Sequence, residues 1–435
     1  MEKSIMSKQS VSQVERENIR LKAAVEELSI LNEIAAAINS SIEVEQIVEL
    51  MIKKCVKHLK VEQAAVMLLD EKLEQQPFHT MIRQVVSSAE VLPYRFDNQL
   101  SGWMLKNQKP LLINDFAHDN RFVEIKDQAL VIRSLLSVPL LSKGKMIGVL
   151  SLFNKKSSAG FSSQDQRLVT IIASQSAQVI ENARLYQEEQ KLLQVQKELM
   201  LALEIQSNLL PKRQPVLKNY DIFGKSIPAQ TVGGDYFDFI PLDQNCLAIC
   251  LGDVSGKGLP AAMLMANLQA TVRGQTTIDA SPGNCLKRSN KLLYLSTDRQ
   301  KFATLFYGVL DTTNHKFCFA NAGHNRPLFV KKGRTPICLE TAGMALSILD
   351  NSEFKEDCIV FSPGDSLLIF SDGITEAMNF SGEEFGEDRV ADLFYKNQKM
   401  SAKDIVEKII TSVDNYSNNE YPKDDMTLIV IKRRT

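Results

Sequence analysis

The chain has 435 residues, too many for one ordinary hydrophobic core, so two or three domains are expected. Its 51 Lys and Arg nearly balance 52 Asp and Glu, for a formal charge of -1, which gives no overall case for nucleic acid or an anionic membrane as partner. No apolar run approaches bilayer length and Met1-Glu2-Lys3-Ser4 has no apolar signal core, so a reducing, cytoplasmic compartment is expected.

Seven scattered cysteines, an odd number, do not read as a disulfide framework, and none has CxxC spacing. Cys246 and Cys250 fall in an apolar run that reads as a buried strand, where cysteine serves as a small hydrophobe.

The first element is helical. Val11, Val14, Leu21, Val25, Leu28 and Ala35 alternate by threes and fours, with Asn18 and Asn32 in the same seam. Residues 1–43 therefore read as a dimerising coiled coil or as an amphipathic helix packed on the next domain.

From 44 to 183 the pattern is a helix, strands and loops, then another helix. Gln63–Asp70, Ser134–Leu141 and Lys145–Phe153 are strand candidates, the last two joined at Lys143-Gly144 as a hairpin. An antiparallel sheet with helices on one side fits this order. Cys55 belongs to a core helix, and Trp103, the single tryptophan, is expected to pack rather than to bind.

A helix entering at Phe161-Ser162-Ser163-Gln164-Asp165 runs to Pro211. Val179, Asn182, Tyr186, Leu193, Met200, Leu203 and Leu210 keep heptad-like spacing along it. Residues 184–212 read as a parallel dimer stalk and switch segment, with a rigid spacer as the plainer reading.

Residues 213–435 alternate strands with helices. Strands are expected at Ile222–Ile227, Asp235–Ile240, Cys246–Leu251, Ala303–Leu310, Lys316–Asn321, Leu328–Lys331, Ser366–Phe370 and Thr427–Ile431. Helices are expected at Leu259–Thr276, Pro282–Ser296, Arg389–Tyr395 and Ala402–Asp414. Two sheets with helices outside follow, and the fold class overall is α+β.

Four aspartates stand on or beside short Gly-rich or Asp-rich turns after apolar runs: Asp235, Asp253, Asp372 and Asp424. Carboxylates at strand ends can converge, and clustered hard oxygens attract Mg²⁺ or Mn²⁺. Metal-assisted hydrolysis is the chemistry this suggests. Gly233, Gly234, Gly252, Gly256, Gly258 and Gly373 allow positive φ or close backbone approach beside them.

Leu100-Ser101-Gly102-Trp103, Pro110–Asp115, Ser137-Val138-Pro139-Leu140 and Ile147–Leu152 resemble a GAF domain, an α/β sandwich, over 44–183. The resemblance implies a sensor that takes a small molecule, a protein or nothing. Residues 213–435 resemble the metal-dependent serine/threonine phosphatases of the PPM class, SpoIIE and RsbU branch, an α-β-β-α sandwich. The likeness rests on Ile205–Pro211, Val232–Asp238, Gly252–Gly258, Phe302–Phe306, Asn321–Asn325, Ser371–Ala377 and Asp424–Thr427 in that order.

That resemblance implies two Mn²⁺ or Mg²⁺ ions. Asp253 would bridge them, Asp235 and the Val254 carbonyl would complete one shell, and Asp372 with Asp424 would hold the other ion. Asp425 could replace Asp424. A water bridging the ions would attack phosphorus in line, without a phosphoenzyme. His324 is expected to support by hydrogen bonding rather than to act as general acid, and the phosphate-binding arginine of the eukaryotic type 2C enzymes has no evident counterpart. The implied substrate is a phosphorylated STAS-domain antagonist of an anti-sigma factor, in a bacterial partner-switching pathway. The rival readings are a catalytically silent adaptor that docks such partners and, less suited to the spacing, a nucleotidyl cyclase.

Overall fold

The computed structural model describes residues 43–434 apart from 70–77, 86–96, 120, 123–131, 299, 341–342 and 419–422, with scattered positions between 17 and 29. Leu21, Val25 and Leu28 are helical and exposed; Val11, Val14, Asn32 and Ala35 of the expected seam lie outside the described residues. The chain divides into two compact units, Met1–Leu193 and Gln194–Thr435.

In the first unit, α1 (Val44–Leu59) buries Val44, Ile47, Val48, Met51, Ile52, Cys55 and Leu59, an i, i+3/i+4 stripe. It precedes β1 (Val61–Leu69), β2 (Phe78–Val85), α2 (Asp97–Asn107), β3 (Leu111–Ile113), β4 (Leu135–Ser142) and β5 (Lys145–Lys155). The strands form one antiparallel sheet in the order β2-β1-β5-β4-β3. Leu136, Val138, Leu150 and Leu152 pack with α1 and the start of α3 (Ser163–Leu209). Leu135, Val149 and Phe153 pack with Leu100 and Met104 of α2 and with Phe116 and Phe122.

Helices were expected on one side of this sheet only. The correction is that α2 and the segment after β3 cover the second face, which is why β4 and β5 are buried at nearly every position instead of alternating. Trp103 packs half-buried against that second core, and Cys55 is fully buried, its thiol pushed up to about 12 by burial.

Helix α3 carries the heptad seam. Val179 lies in the core of the first unit and Leu210, just past the helix end, packs in the cores of the second. Between them Tyr186, Leu193 and Met200 are exposed, with Leu185, Leu192, Val195, Leu201 and Ile205 beside them.

The second unit stacks two five-stranded antiparallel sheets. One has the order β13-β10-β9-β8-β7, formed by β7 (Tyr236–Pro241), β8 (Cys246–Val254), β9 (Ala303–Asp311), β10 (Lys316–Ala322) and β13 (Glu356–Val360). The other has the order β12-β11-β14-β15-β6, formed by β6 (Tyr220–Ile227), β11 (Leu328–Val330), β12 (Ile337–Cys338), β14 (Ser366–Phe370) and β15 (Met426–Arg433).

Alternation decides the layers. Ile249, Leu251, Leu367, Ile369, Ile429 and Ile431 fill the space between the sheets with Phe306, Phe317, Phe319 and Phe329. Their neighbours Ala248 and Cys250 face outward to α4 (Leu259–Ile278) and α5 (Pro282–Ser296). Leu368, Phe370, Leu428 and Val430 face α7 (Glu387–Lys396) and α8 (Ala402–Tyr416) on the other side. Each such side chain removed from water contributes about 1.5–3 kcal/mol. Arg273 of α4 clamps its layer to β7 through Asp238, which is wholly buried, at 2.6 and 3.0 Å.

Among the described residues β2, β3, β12, β13, α2 and the short helix at Asp372–Thr375 were not expected. One of them corrects the cysteine reading. The register of β13 on β10 sets Cys358 opposite Cys318, with Cα atoms 4.0 Å apart, and the two form a disulfide. Cys246 is half-buried and Cys250 buried, as a strand position requires.

Candidate active site

The strand ends bring the aspartates to one end of the sandwich. Asp253 is near the end of β8, directly beside the start of β7, where Tyr236 pairs with Gly252. Asp372 follows β14 and opens the short helix α6 (Asp372–Thr375), while Asp424 and Asp425 immediately precede β15. Phe370 pairs with Leu428, so these last two segments are neighbours. Ser371 stitches them: its Oγ donates to the Asp425 carbonyl at 3.1 Å and accepts from Thr427 N at 2.9 Å. Gly373 fits only because it lacks a side chain, since a Cβ there would stand 2.2 Å from the Asp425 carbonyl oxygen.

Asp425 is a hub for backbone donors. Its Oδ1 accepts from Ala229 N at 2.7 Å, and its Oδ2 accepts from Gly234 N at 2.5 Å and Asp235 N at 3.2 Å. These bonds occupy both oxygens and shape the loop that presents Asp235. Asp424 has a different environment: its Oδ2 meets Lys257 Nζ at 2.8 Å, half-exposed. The Lys257 ammonium also donates to the Lys423 carbonyl at 2.6 Å, and the Asp424 carboxylate raises its proton affinity. Lys257, within the Gly252–Gly258 stretch, carries no role in the sequence reading, yet it brings a cation to these carboxylates. Gly258 after it has φ +69° and caps α4, so the loop folds back toward the carboxylates.

The carboxylates repel one another. Burial and the charge of Asp253 raise Asp235 well above the usual carboxylate range, and Asp253 is pushed up to about 7 by burial and by Asp372, Asp424 and Asp425. Asp372 is raised by burial and by Asp424. Asp235 Oδ2 is buried with no hydrogen-bond partner. A Cβ on Gly234 would lie 3.2 Å from the Val254 carbonyl oxygen and 3.4 Å from Asp253 Oδ1, so these two oxygens flank the same glycine.

This donor set suits a hard divalent cation: carboxylates of like charge, a backbone carbonyl beside them and an orphaned anionic oxygen. Among the described residues no group of three or more His, Cys, Asp or Glu is drawn together closely enough to hold an ion directly. A small cavity of about 140 Å³ opens beside Asp424, lined by Lys257, Gly373, Glu376, Met378, Asp414 and Lys423.

Three supporting residues were not singled out by the sequence. Gln206, near the end of α3, donates from Nε2 to the Gly233 carbonyl at 2.6 Å and accepts from Gly233 N at 3.1 Å. Thr304 Oγ1 accepts from Asp253 N at 3.3 Å and meets His324 Nδ1 at 2.9 Å. The third is Ser371. They lie in Ile205–Pro211, Phe302–Phe306 and Ser371–Ala377, but nothing in a linear motif says which neighbour a side chain reaches. His324 is buried, and burial pushes its imidazole down to about 3, so it is neutral; Asn321 clasps its backbone at 2.7 and 2.9 Å.

The α-β-β-α fold with carboxylates gathered at one end defines a metal-dependent protein phosphatase. Comparison with known proteins agrees. A family model for stage II sporulation protein E (SpoIIE) matches residues 243–434, and a GAF domain model matches 41–181. Phosphoserine phosphatase RsbU of Bacillus subtilis is 31% identical over 254 residues, 57% of this chain and 75% of that protein. Protein IcfG of Synechocystis is 31% identical over 258 residues, 53% of this chain and 40% of that protein. The SiaA-PP2C domain of Pseudomonas aeruginosa has the same fold, with a TM-score of 0.50 at 20% identity, covering 56% of this chain and 97% of that one. The chain belongs to the RsbU and SpoIIE family of PPM serine/threonine phosphatases, with a GAF domain ahead of the phosphatase domain. Asp235 lies ahead of the span that the SpoIIE model matches.

Proposed function

We propose that the chain removes phosphate from a phosphoserine or phosphothreonine on a STAS-domain antagonist of an anti-sigma factor, in a cytoplasmic partner-switching pathway. The observation that carries the reading is the gathering of Asp253, Asp372 and Asp424 at one end of the sandwich, with Asp235 Oδ2 buried and unpartnered beside them. The likeness to a phosphoserine phosphatase supports the choice of substrate class.

In this reading Asp253 would be shared by two Mn²⁺ or Mg²⁺ ions, with Asp235 and the Val254 carbonyl holding one and Asp372 and Asp424 the other, while Asp425 holds the loop. When bound, such ions supply the positive charge that offsets the carboxylates, binds phosphoryl oxygens and makes water more acidic. Lys257, which pairs with Asp424, would supply the protein's own phosphate-binding charge once a cation engaged that carboxylate. Thr304 fixes the Asp253 peptide, and neutral His324 fixes Thr304.

The exposed apolar residues between Val179 and Leu210 support a homodimer through the α3 stalk, with the GAF domain as sensor for a small molecule or protein. The 200–211 junction then acts as switch, because Gln206 holds the Gly233 peptide two residues before Asp235. The test is Mn²⁺-dependent phosphate release from a phosphorylated STAS protein by the full chain and by Asp253→Ala. Release that vanishes in the variant supports the reading. No release from a folded, metal-loaded chain would favour the silent adaptor. A four-residue insertion in the stalk, which shifts helical phase, should change regulation where a seven-residue insertion does not.

A further inference from the structure

The opposite end of the strands that carry the aspartates is basic. A cavity of about 1040 Å³ opens there, between the start of β6, the end of β15, the turns before β14 and after β11, and the α7–α8 loop. Its charged lining comprises Lys332, Lys396, Lys399, Lys432, Arg433 and Arg434 against a single carboxylate, Asp221. In a chain whose net charge is -1, that is a concentrated positive field.

Several of these charges have partners. Lys396 pairs with Asp392 at 2.6 Å, Arg433 Nη1 donates to the Phe361 carbonyl at 2.5 Å, and Asp221 is engaged by Ala402 N at 2.8 Å. Lys332, Lys399 and Arg434 have no ion pair among the described residues. Lys432 is the unusual member. It is half-buried, and its ammonium donates only to carbonyl oxygens, those of Gln398 at 2.8 Å and Met400. Burial lowers its proton affinity and Asp221 restores only part of it. Gln398 Nε2, in the same lining, is buried with no hydrogen-bond partner. The cavity thus sets six cationic side chains and an unpartnered amide donor against one carboxylate, which is the complement of an oxygen-rich anion.

We propose that this cavity is a second anion site, built to take a small polyphosphorylated molecule at the end of the sandwich away from catalysis. The volume suits a ligand of nucleotide size. The half-buried position of Lys432 and Gln398 favours a small molecule entering the cavity over an acidic peptide lying across its rim. Arg434 and Lys399 at the mouth supply phosphate contacts, and Lys432 gains the counter-charge it lacks. The five residues of β14 and the eight of β15 separate the site from Asp372 and Asp424 by roughly 17 to 26 Å. The two sites do not share a ligand.

The experiment is calorimetric titration of the full-length chain with tripolyphosphate at low salt in EDTA. Under those conditions the catalytic carboxylates, carrying no metal, repel phosphate. Saturable binding is expected, weakening as NaCl rises. The double variant K399E/R434E should lose it by roughly tenfold or more, while keeping Mn²⁺-dependent hydrolysis of p-nitrophenyl phosphate, which shows that it is folded. Asp253→Asn should bind as the parent does. The proposal is overturned by absence of binding at millimolar tripolyphosphate, by unchanged binding in K399E/R434E, or by binding of poly-glutamate in place of tripolyphosphate, which would make the cavity a protein-docking surface.

Discussion

Gln206 and Gly233 exchange two hydrogen bonds, side-chain amide to backbone peptide, at 2.6 and 3.1 Å. The last turn of the long helix is thereby tied to the loop that presents Asp235. Gln206→Ala leaves both Gly233 groups unpaired in a buried place, a cost of about 1–3 kcal/mol. The expected outcome is a raised Mn²⁺ concentration for half-maximal activity, with the unfolding midpoint of the first unit unchanged. Metal titrations of phosphatase activity measure it, and an unaltered metal requirement would remove Gln206 from the switch.

Adjacent aspartates should fail in different ways. Asp424 faces Lys257 and the cavity, while Asp425 spends its oxygens on three backbone N–H groups. Asp424→Ala is expected to lose nearly all activity with the thermal midpoint kept or raised, because a repulsive charge is removed. Asp425→Ala is expected to lose stability as well, by about 2–4 kcal/mol. Denaturant unfolding beside activity separates the two, and equal midpoints for both variants would contradict the assignment.

Metal and pH should act in opposition. Asp253 is held up to about 7 in the folded chain, against 3.8 for an unperturbed aspartate. The folded state therefore binds its proton more tightly than the unfolded state, and metal-free stability is expected to fall as pH rises from about 4 to about 7. The loss is on the order of a few kcal/mol. Mn²⁺ should cancel it above pH 7 and compete poorly with protons below. Thermal scans from pH 5 to 8, with EDTA and with Mn²⁺, test this; a metal-free midpoint that rises across the range would refute it.

The Asp238–Arg273 pair is structural: the carboxylate is wholly buried while the guanidinium is half-exposed. Arg273→Met strands a buried carboxylate, which is expected to cost about 2–4 kcal/mol. Because Tyr236 also donates to Asp238 at 2.9 Å, Asp238→Asn should be milder. Chemical denaturation ranks the two, with Asp238→Asn as the harsher variant being the contrary result.

The sequence by itself determined the layers of the second unit. Side chains two apart share a face by the period of the pleat, Ile249 with Leu251 and Ala248 with Cys250, Ile429 with Ile431 and Leu428 with Val430, and the helices legible between the strands supply cover for the second, equally apolar face. The long helix and its heptad spacing were equally legible, as were the four aspartates on their turns. The two-faced burial of the GAF sheet was not, because a strand buried on both sides carries no alternation to read.

Pairing across long separations was left to the tertiary structure. Cys318 and Cys358 stand 40 residues apart and meet only through the register of β13 on β10. Asp424 and Asp425 are chemically identical and adjacent, yet in the bend that leads into β15 one meets Lys257 beside the cavity and the other the Gly234 and Asp235 backbone. Lys257 meets Asp424 across 167 positions of chain, and the basic cavity gathers residues from 221 to 434. Local spacing fixes the face on which a side chain stands, whereas the packing of whole sheets fixes which distant charges stand within Coulomb reach of it.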